Sequence, residues 1–153
     1  MSQENVQTLR AFMKTWSPEW TLEAWQRGEV MDMSFVDPDV IYEDAVLPDH
    51  IGEAYRGHEG WVRAAKTWIE PFEWLRIDLE RIVDAGDRLV SVHRIRTTAR
   101  HTGIEFDSRD GGAGLAYVWT LQGGKVVHLR AFVDPEEALE AVGLREGDSL
   151  ADE

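Results

Sequence analysis

Val36-Asp37-Pro38-Asp39-Val40-Ile41-Tyr42-Glu43-Asp44 is the stretch on which the fold turns. Asp37-Pro38-Asp39 punctuates the chain, and the β-branched and aromatic residues after it read as a strand. Side chains alternate across a strand, so Val40, Tyr42 and Asp44 share one side and Asp44 ends the element. Upstream, Asn5, Val6, Leu9, Phe12, Met13 and Trp16 recur at helical spacing, which predicts an amphipathic helix ending near Ser17-Pro18. Leu22 and Trp25 within Thr21–Arg27, with Gly28 as a stop, predict a second short helix, and Val30–Phe35 adds one more turn. Downstream, residues 45–57 hold Pro48, Gly52 and Gly57 without a period and read as a loop. Gly60–Phe72 then carries Trp61, Ala64, Ala65 and Trp68 on one helical stripe.

From Trp74 onward the period changes to two, which predicts strands over Trp74–Val83, Arg88–Arg100, Gly114–Leu121 and Val126–Val133. Ala85-Gly86-Asp87 and Gly123-Gly124 suit tight hairpin turns, so the sheet is expected to be antiparallel and curved. Asp134-Pro135-Glu136-Glu137 has the form of a capped helix start, and Gly143 is its stop. Residues 1–144 are therefore expected to form one α+β domain, and residues 145–153 an acidic flexible tail.

With 153 residues, the chain is long enough for one core, and 43% hydrophobic with 29% charged residues is ordinary globular usage. Lys plus Arg is 16 against 29 Asp plus Glu, a net charge of −13 that repels phosphate backbones and anionic lipid surfaces. Nucleic acid and membrane are not expected partners. Cysteine is absent, which excludes disulfides, thiolate metal sites and a cysteine nucleophile. The polar start, Met1–Arg10, does not read as a signal peptide, and no apolar run approaches the roughly 20 residues a membrane helix needs. A cytoplasmic location is expected. No histidine–carboxylate spacing suggests a metal site, and Gly111-Gly112-Ala113-Gly114 precedes a strand rather than the helix a phosphate cradle requires, so no cofactor is expected. Seven tryptophans are the unusual feature. Trp16, Trp25, Trp61, Trp68 and Trp119 fall at core or cavity positions, where flat indole walls suit a ring-shaped hydrophobic ligand.

The order helix, helix, strand, helix and four strands resembles the cone-shaped fold of the nuclear transport factor 2-like superfamily, in its SnoaL-like and ketosteroid isomerase-like branch. The residues that carry the resemblance are Val36–Asp44 followed by Tyr55-Arg56-Gly57, and Val118-Trp119-Thr120-Leu121 through Gly124-Lys125-Val126-Val127 to Phe132-Val133-Asp134. It implies a curved antiparallel sheet wrapped around the N-terminal helices, with a ligand in the mouth of the cone. It implies that Leu115, Tyr117, Trp119 and Leu121 point inward, as do Val127, Leu129, Ala131 and Val133, with His128 and Arg130 outward. On the strand from Arg88 it places Val90, Val92, Arg94 and Arg96 inward and His93 outward.

Asp44 falls on the general-base aspartate of ketosteroid isomerases, and a carboxylate against an apolar wall becomes a better proton acceptor as it loses hydration. The oxyanion-donating tyrosine of those enzymes falls at Phe12, which cannot donate, and their protonated aspartate at Tyr117, which can. The resemblance thus implies an isomerase, dehydratase or polyketide cyclase-like lyase, with Asp44 as general acid/base and Tyr117 and Arg94 stabilising negative charge. Phe12, Trp16, Tyr42, His50, Trp61, Trp68, Val92, Trp119, Leu129 and Ala131 would surround a small hydrophobic cyclic substrate. His50, in the loop beside Asp44, is a candidate second proton shuttle. Two alternatives stand: a non-catalytic binder of such a molecule, and water activation as in limonene epoxide hydrolases. In the latter Tyr42, Asp44 and Arg94 match, but two carboxylates are replaced by Arg96 and Ala131. The resemblance also implies a homodimer through the outer sheet face at Thr120, His128, Arg130 and Phe132.

Overall fold

The computed structural model describes residues 2–16, 18–29, 31–44, 54–111 and 114–144. Helix α1 (Ser2–Met13) is followed by α2 (Leu22–Gln26), which starts where the Thr21 hydroxyl accepts from the Ala24 N–H at 3.1 Å. A 3-10 turn (Met33–Phe35) leads into strand β1 (Val36–Asp44), and β2 (Tyr55–Arg56) precedes α3 (Gly57–Ile69). Four further strands follow the predicted order: β3 (Phe72–Asp84), β4 (Arg88–Ala99), β6 (Leu115–Gln122) and β7 (Lys125–Phe132). Between β4 and β6 lie a three-residue strand, β5 (Glu105–Asp107), and a short helix, α4 (Ser108–Gly111). Helix α5 (Pro135–Ala141) closes the described chain and is capped by Asp134, whose carboxylate accepts from Glu136 N–H at 3.0 Å.

The sheet runs β2-β1-β7-β6-β4-β3, with β5 on β4. Its pairings are antiparallel except that of β1 with β7, which is parallel and brings Asp44 beside Ala131. The antiparallel, curved sheet expected from the strands after Trp74 is present in β3, β4, β6 and β7; β1 joins it in parallel because it is reached from the helical half and is linked to β7 by a long connection, so hairpin geometry does not constrain its direction. Register shifts interrupt β3–β4 between Leu79 and Arg81 and β6–β7 between Thr120 and Leu121. Such bulges bend a strand and raise its twist, and they curve the sheet.

One hydrophobic cluster fills the space between that sheet and α1, α2 and α3, with Leu9, Phe12, Trp61, Leu75, Leu115 and Trp119 nearly or wholly inaccessible to solvent. A second lies on the opposite face, where Ala138 and Leu139 of α5 cover Val83, Val90, Val92, Ala116 and Val118. Part of the outer sheet face is thus already occupied by the chain's own helix, and Phe132 packs against that cluster. No helix among the described residues is long and apolar enough to cross a membrane.

Strand β1 and helix α3 must approach closely to place Tyr42, Asp44 and Trp68 together, and Gly57 makes the junction. Its φ is +71°, and a Cβ there would lie 3.2 Å from the Pro38 carbonyl oxygen. Gly103 has the same φ of +71° but open space around it. Gly103→Ala is expected to cost about 1–2 kcal/mol, the left-handed penalty alone, and Gly57→Ala measurably more. Urea unfolding of the two variants checks the order, and equal losses would refute the close-approach account.

Candidate functional site

Asp44 has no exposure to solvent, 0% of its surface. Its Oδ2 receives two hydrogen bonds, from the hydroxyl of Tyr42, two residues earlier on the same side of β1, and from Trp68 Nε1 on α3 at 2.6 Å. The alternation read from Val40, Tyr42 and Asp44 holds, because all three are buried on the helix side of the sheet. Strand period places Tyr42 and Asp44 on one face, and the α3 stripe that carries Trp61 and Trp68 faces them.

In front of Tyr42 and Trp68 lies a cavity of about 60 Å³. Five indoles border it, from Trp16, Trp20, Trp61, Trp68 and Trp119, together with the phenols of Tyr42 and Tyr117. Asp44 itself stands behind this wall, with Tyr42 and Trp68 between it and the cavity. Burial above all, with the neighbouring Tyr117 phenol and the Asp44 carboxylate next, pushes the Tyr42 phenol well above its ordinary range. Burial and the Asp44 charge do the same to Tyr117. Both phenols therefore keep their protons and act as donors. Leu129 also borders the cavity. Phe12 is fully buried behind it, its ring 5.7 Å from Trp16, 6.2 Å from Trp61 and 6.1 Å from Trp119, and it supports the wall without lining it. Ala131 is in the adjoining core. His50 lies outside the described residues.

Strand β4 is turned over relative to the expectation. Arg94 and Val92 do not face the cavity: Val92 packs under α5, and Arg94 makes a two-bond ion pair with Asp107 of β5, Nε–Oδ1 at 3.0 Å and Nη2–Oδ2 at 2.5 Å, with 23% of its side chain exposed. Arg96 likewise pairs outward with Asp78 of β3 at 2.6 Å. Inward, both guanidiniums would lose their water; outward, each keeps partial exposure and has an aspartate on the neighbouring strand. A one-residue change of register moves every side chain to the other face, so Leu89, Ser91, His93 and Ile95 are the residues turned toward the helices. Val127 and Val133 also fail to point inward, because the bulge at Thr120/Leu121 puts Val126 in the core and Val133 is 46% exposed. With Arg94 outside, the carboxylate and arginine set of epoxide hydrolases is not gathered at the cavity. Trp25 leaves the chamber as well; its indole donates to the Val62 carbonyl at 3.1 Å.

The residues that sequence reasoning missed follow from that reversal. Ser91 and His93 are buried, at 0% and 2% exposure, on the cavity side of β4. Trp119 Nε1 donates to Ser91 Oγ at 2.7 Å, and Ser91 Oγ lies 2.7 Å from His93 Nε2. The ring of His93 stacks on Trp16 at 5.9 Å and meets Tyr117 edge-on at 5.3 Å. Trp20 is held at the cavity by a β-bridge to Leu75. Among the described residues no group of three or more histidines and carboxylates is arranged to hold a metal ion.

Burial lowers the His93 imidazole from 6.5 to about 3, and the Asp78 charge opposes this only in part. Its folded value lies below its unfolded one, so the unfolded chain takes up the proton first and His93's contribution is complete above about pH 6.5 and is lost as pH falls toward 3. Between pH 7 and pH 5, where carboxylates stay largely ionised, this group is expected to remove on the order of 2 kcal/mol of stability. Chemical denaturation of the wild type and His93→Phe at both pH values checks it; the same pH slope in both proteins would refute the assignment.

The family of SnoaL-like domains matches residues 19–129. Among solved structures, a putative SnoaL-like polyketide cyclase from Jannaschia sp. CCS1 superposes with a TM-score of 0.63 at 20% identity, covering 92% of this chain and 92% of that one. An NTF2-like protein of unknown function from Burkholderia pseudomallei K96243 gives 0.61 at 20% identity, over 92% of this chain and 98% of the other. TerC, crystallised with polyporic acid, gives 0.58 at 16% identity over 91% and 98%. At these identities the likeness carries the fold and no more. No curated protein matches the chain. The match over residues 19–129, together with the curved sheet and its N-terminal helices, shows that the chain belongs to the SnoaL-like domain family of NTF2-like fold.

Proposed function

We propose that this protein moves a proton on a small hydrophobic cyclic molecule, in a reaction of the isomerase, dehydratase or cyclase type, with Asp44 as the ultimate proton acceptor and donor. The observation that carries this reading is Tyr42 in the cavity wall, with its hydroxyl donating to Asp44 Oδ2. A phenol so held can accept a proton on its oxygen while passing its own to the carboxylate behind it, so an acid group shielded from ligand still acts on it. Trp68 Nε1 fixes the same oxygen from α3 and keeps the pair aligned. Tyr117 supplies a second phenolic donor for negative charge developing on the ligand. The aromatic walls of Trp16, Trp61 and Trp119 exclude water and favour a ring. A polyketide cyclase among the structural neighbours, and another neighbour crystallised with polyporic acid, support small organic molecules as the class.

A second reading, a binding protein without turnover, is favoured by one observation: Oδ2 of Asp44 already accepts two bonds and lies behind the wall, as a purely structural carboxylate would. The homodimer implied by the family resemblance remains part of the proposal, through sheet surface beyond the area under α5. A cytoplasmic location belongs to the proposal on the same terms.

The two readings separate in heavy water. The wild-type protein is expected to catalyse deuterium uptake at the acidic C–H positions of at least one member of a panel of cyclic ketones, followed by NMR. Asp44→Asn and Tyr42→Phe are each expected to slow this by about 10²-fold or more while tryptophan quenching by the same ketone persists. Binding without exchange in the wild type, or exchange unchanged in both variants, overturns the enzymatic reading and leaves the binder.

A further inference from the structure

Next to the aromatic chamber is a second hollow of about 210 Å³, bordered by Met13, Trp16, Pro18, Ile77, Leu79 and His93, with Asp78 at its edge. Trp16 and Ile77 border both hollows, so the two share a wall. We propose that this second hollow is a subsite for the neutral carbonyl oxygen of a ring-shaped ligand, with His93 Nδ1–H as the donor that recognises it.

The proton's position follows from the buried chain on β4 and β6. An indole N–H can only donate, so Ser91 Oγ accepts from Trp119. Among the described residues the single hydrogen of Ser91 has no other acceptor than His93 Nε2, at 2.7 Å, so Nε2 is assigned as the acceptor. A neutral imidazole whose Nε2 accepts carries its proton on Nδ1; the tautomer is assigned from this network. That Nδ1 has almost no accessible surface and no hydrogen-bond partner among the described residues, so a ligand oxygen in the hollow that His93 borders reaches it through a small shift of the ring. Burial holds the ring neutral across the physiological range, in keeping with the same tautomer. An unpaired buried donor is an unfavourable state that an incoming acceptor relieves, and it therefore discriminates strongly between ligands with and without one. Trp16, stacked on this imidazole, has an unpaired buried Nε1 as well.

Charge selects the acceptor's type. The donor is neutral, and the titratable group at the edge of the hollow is Asp78, whose carboxylate is held by Arg96 at 2.6 Å. No Lys or Arg is among the described residues bordering this hollow, and the guanidiniums beside Asp78, Arg96 and, at 3.9 Å, Arg76, are engaged with its carboxylate, so an anionic ligand would lose water there without gaining an ion pair, whereas a ketone oxygen carries no such penalty. A ligand placed against Tyr42 and extending past Trp16 would thus be gripped at two ends. The inference rests on the chamber taking a ring-shaped molecule; it does not require Asp44 to move a proton.

The test uses 1-tetralone and its hydrocarbon counterpart tetralin, titrated calorimetrically into wild type, His93→Phe and Asp44→Asn. The wild type is expected to bind the ketone at least about tenfold more tightly than the hydrocarbon, His93→Phe to lose that preference, and Asp44→Asn to keep it. In ring-labelled wild-type protein the ¹H–¹⁵N signal of His93 is expected at Nδ1 and to shift with 1-tetralone and not with tetralin. This measurement decides the matter even where His93→Phe does not fold. Equal affinities in the wild type, no binding of either probe, a preference surviving in His93→Phe, or a proton found on Nε2 would each overturn the proposal. A ketone preference that persists alongside absent deuterium exchange would instead overturn the enzymatic reading alone.

Discussion

A carboxyl group with no solvent contact has to be matched by donors, and the fold around Asp44 is arranged to bring two of them to one oxygen. Leaving such a group buried and unpaired costs several kcal/mol, comparable to the net stability of a domain this size. The Tyr42 hydroxyl comes from the same strand and is available whenever β1 forms. The Trp68 indole comes from α3, so its bond is made only when α3 is seated against β1. Gly57 permits that seating by taking a positive φ beneath the Pro38 carbonyl, and Gly60 by allowing Tyr55 within 3.1 Å of where a Cβ would be. The polar requirement of one side chain and the steric requirement of two glycines therefore specify the same helix position.

Much of this was readable before any coordinates. The helix-to-strand change of period marked the two halves of the fold, and the alternation of Val40, Tyr42 and Asp44 put the carboxyl on the helix side of the sheet, though not its place behind the cavity wall. Trp61 and Trp68 were readable for the same reason, a stripe on one face of an amphipathic helix. β4 was not, and the cause is physical. Leu89, Val90, Ser91, Val92 and His93 are all buried, because the helices cover one face and α5 the other. A strand buried on both faces has no hydrophobic alternation to read. Its direction is decided further along, where Arg94 and Arg96 need Asp107 and Asp78, and those partners come from β5 and β3. β5 is three residues long with little apolar character, so the sequence around it reads as a hairpin turn.

The reversal of β4 changes the chemistry of the chamber more than its shape. With two guanidiniums facing in, the cavity would attract anions. With Ser91 and His93 facing in, its polar groups on that side are uncharged. The charged residues of β3, β4 and β5 instead form a ladder on the outer face, where water screens them and each pair contributes little. The net charge of −13 then says little about what the interior accepts.

The interior is also constrained in how a proton can leave a ligand. Both phenols at the wall resist ionisation because burial removes the solvation that a phenolate needs and Asp44 lies near. Tyr42 therefore does not act as a preformed phenolate base. In the proposed reaction its oxygen takes a proton only as its own hydrogen passes to Asp44, so the two transfers are coupled and no charge rests on the phenol. In the proposed reaction, negative charge left on the ligand is met by donors that are already in place, because a cavity walled by aromatic rings has little water to reorient. Under that proposal the donor is Tyr117, on β6 and separated from β1 by β7. A neutral donor set of this kind stabilises a delocalised enolate better than a localised charge, since each hydrogen bond is worth most where the acceptor's electron density rises during the reaction.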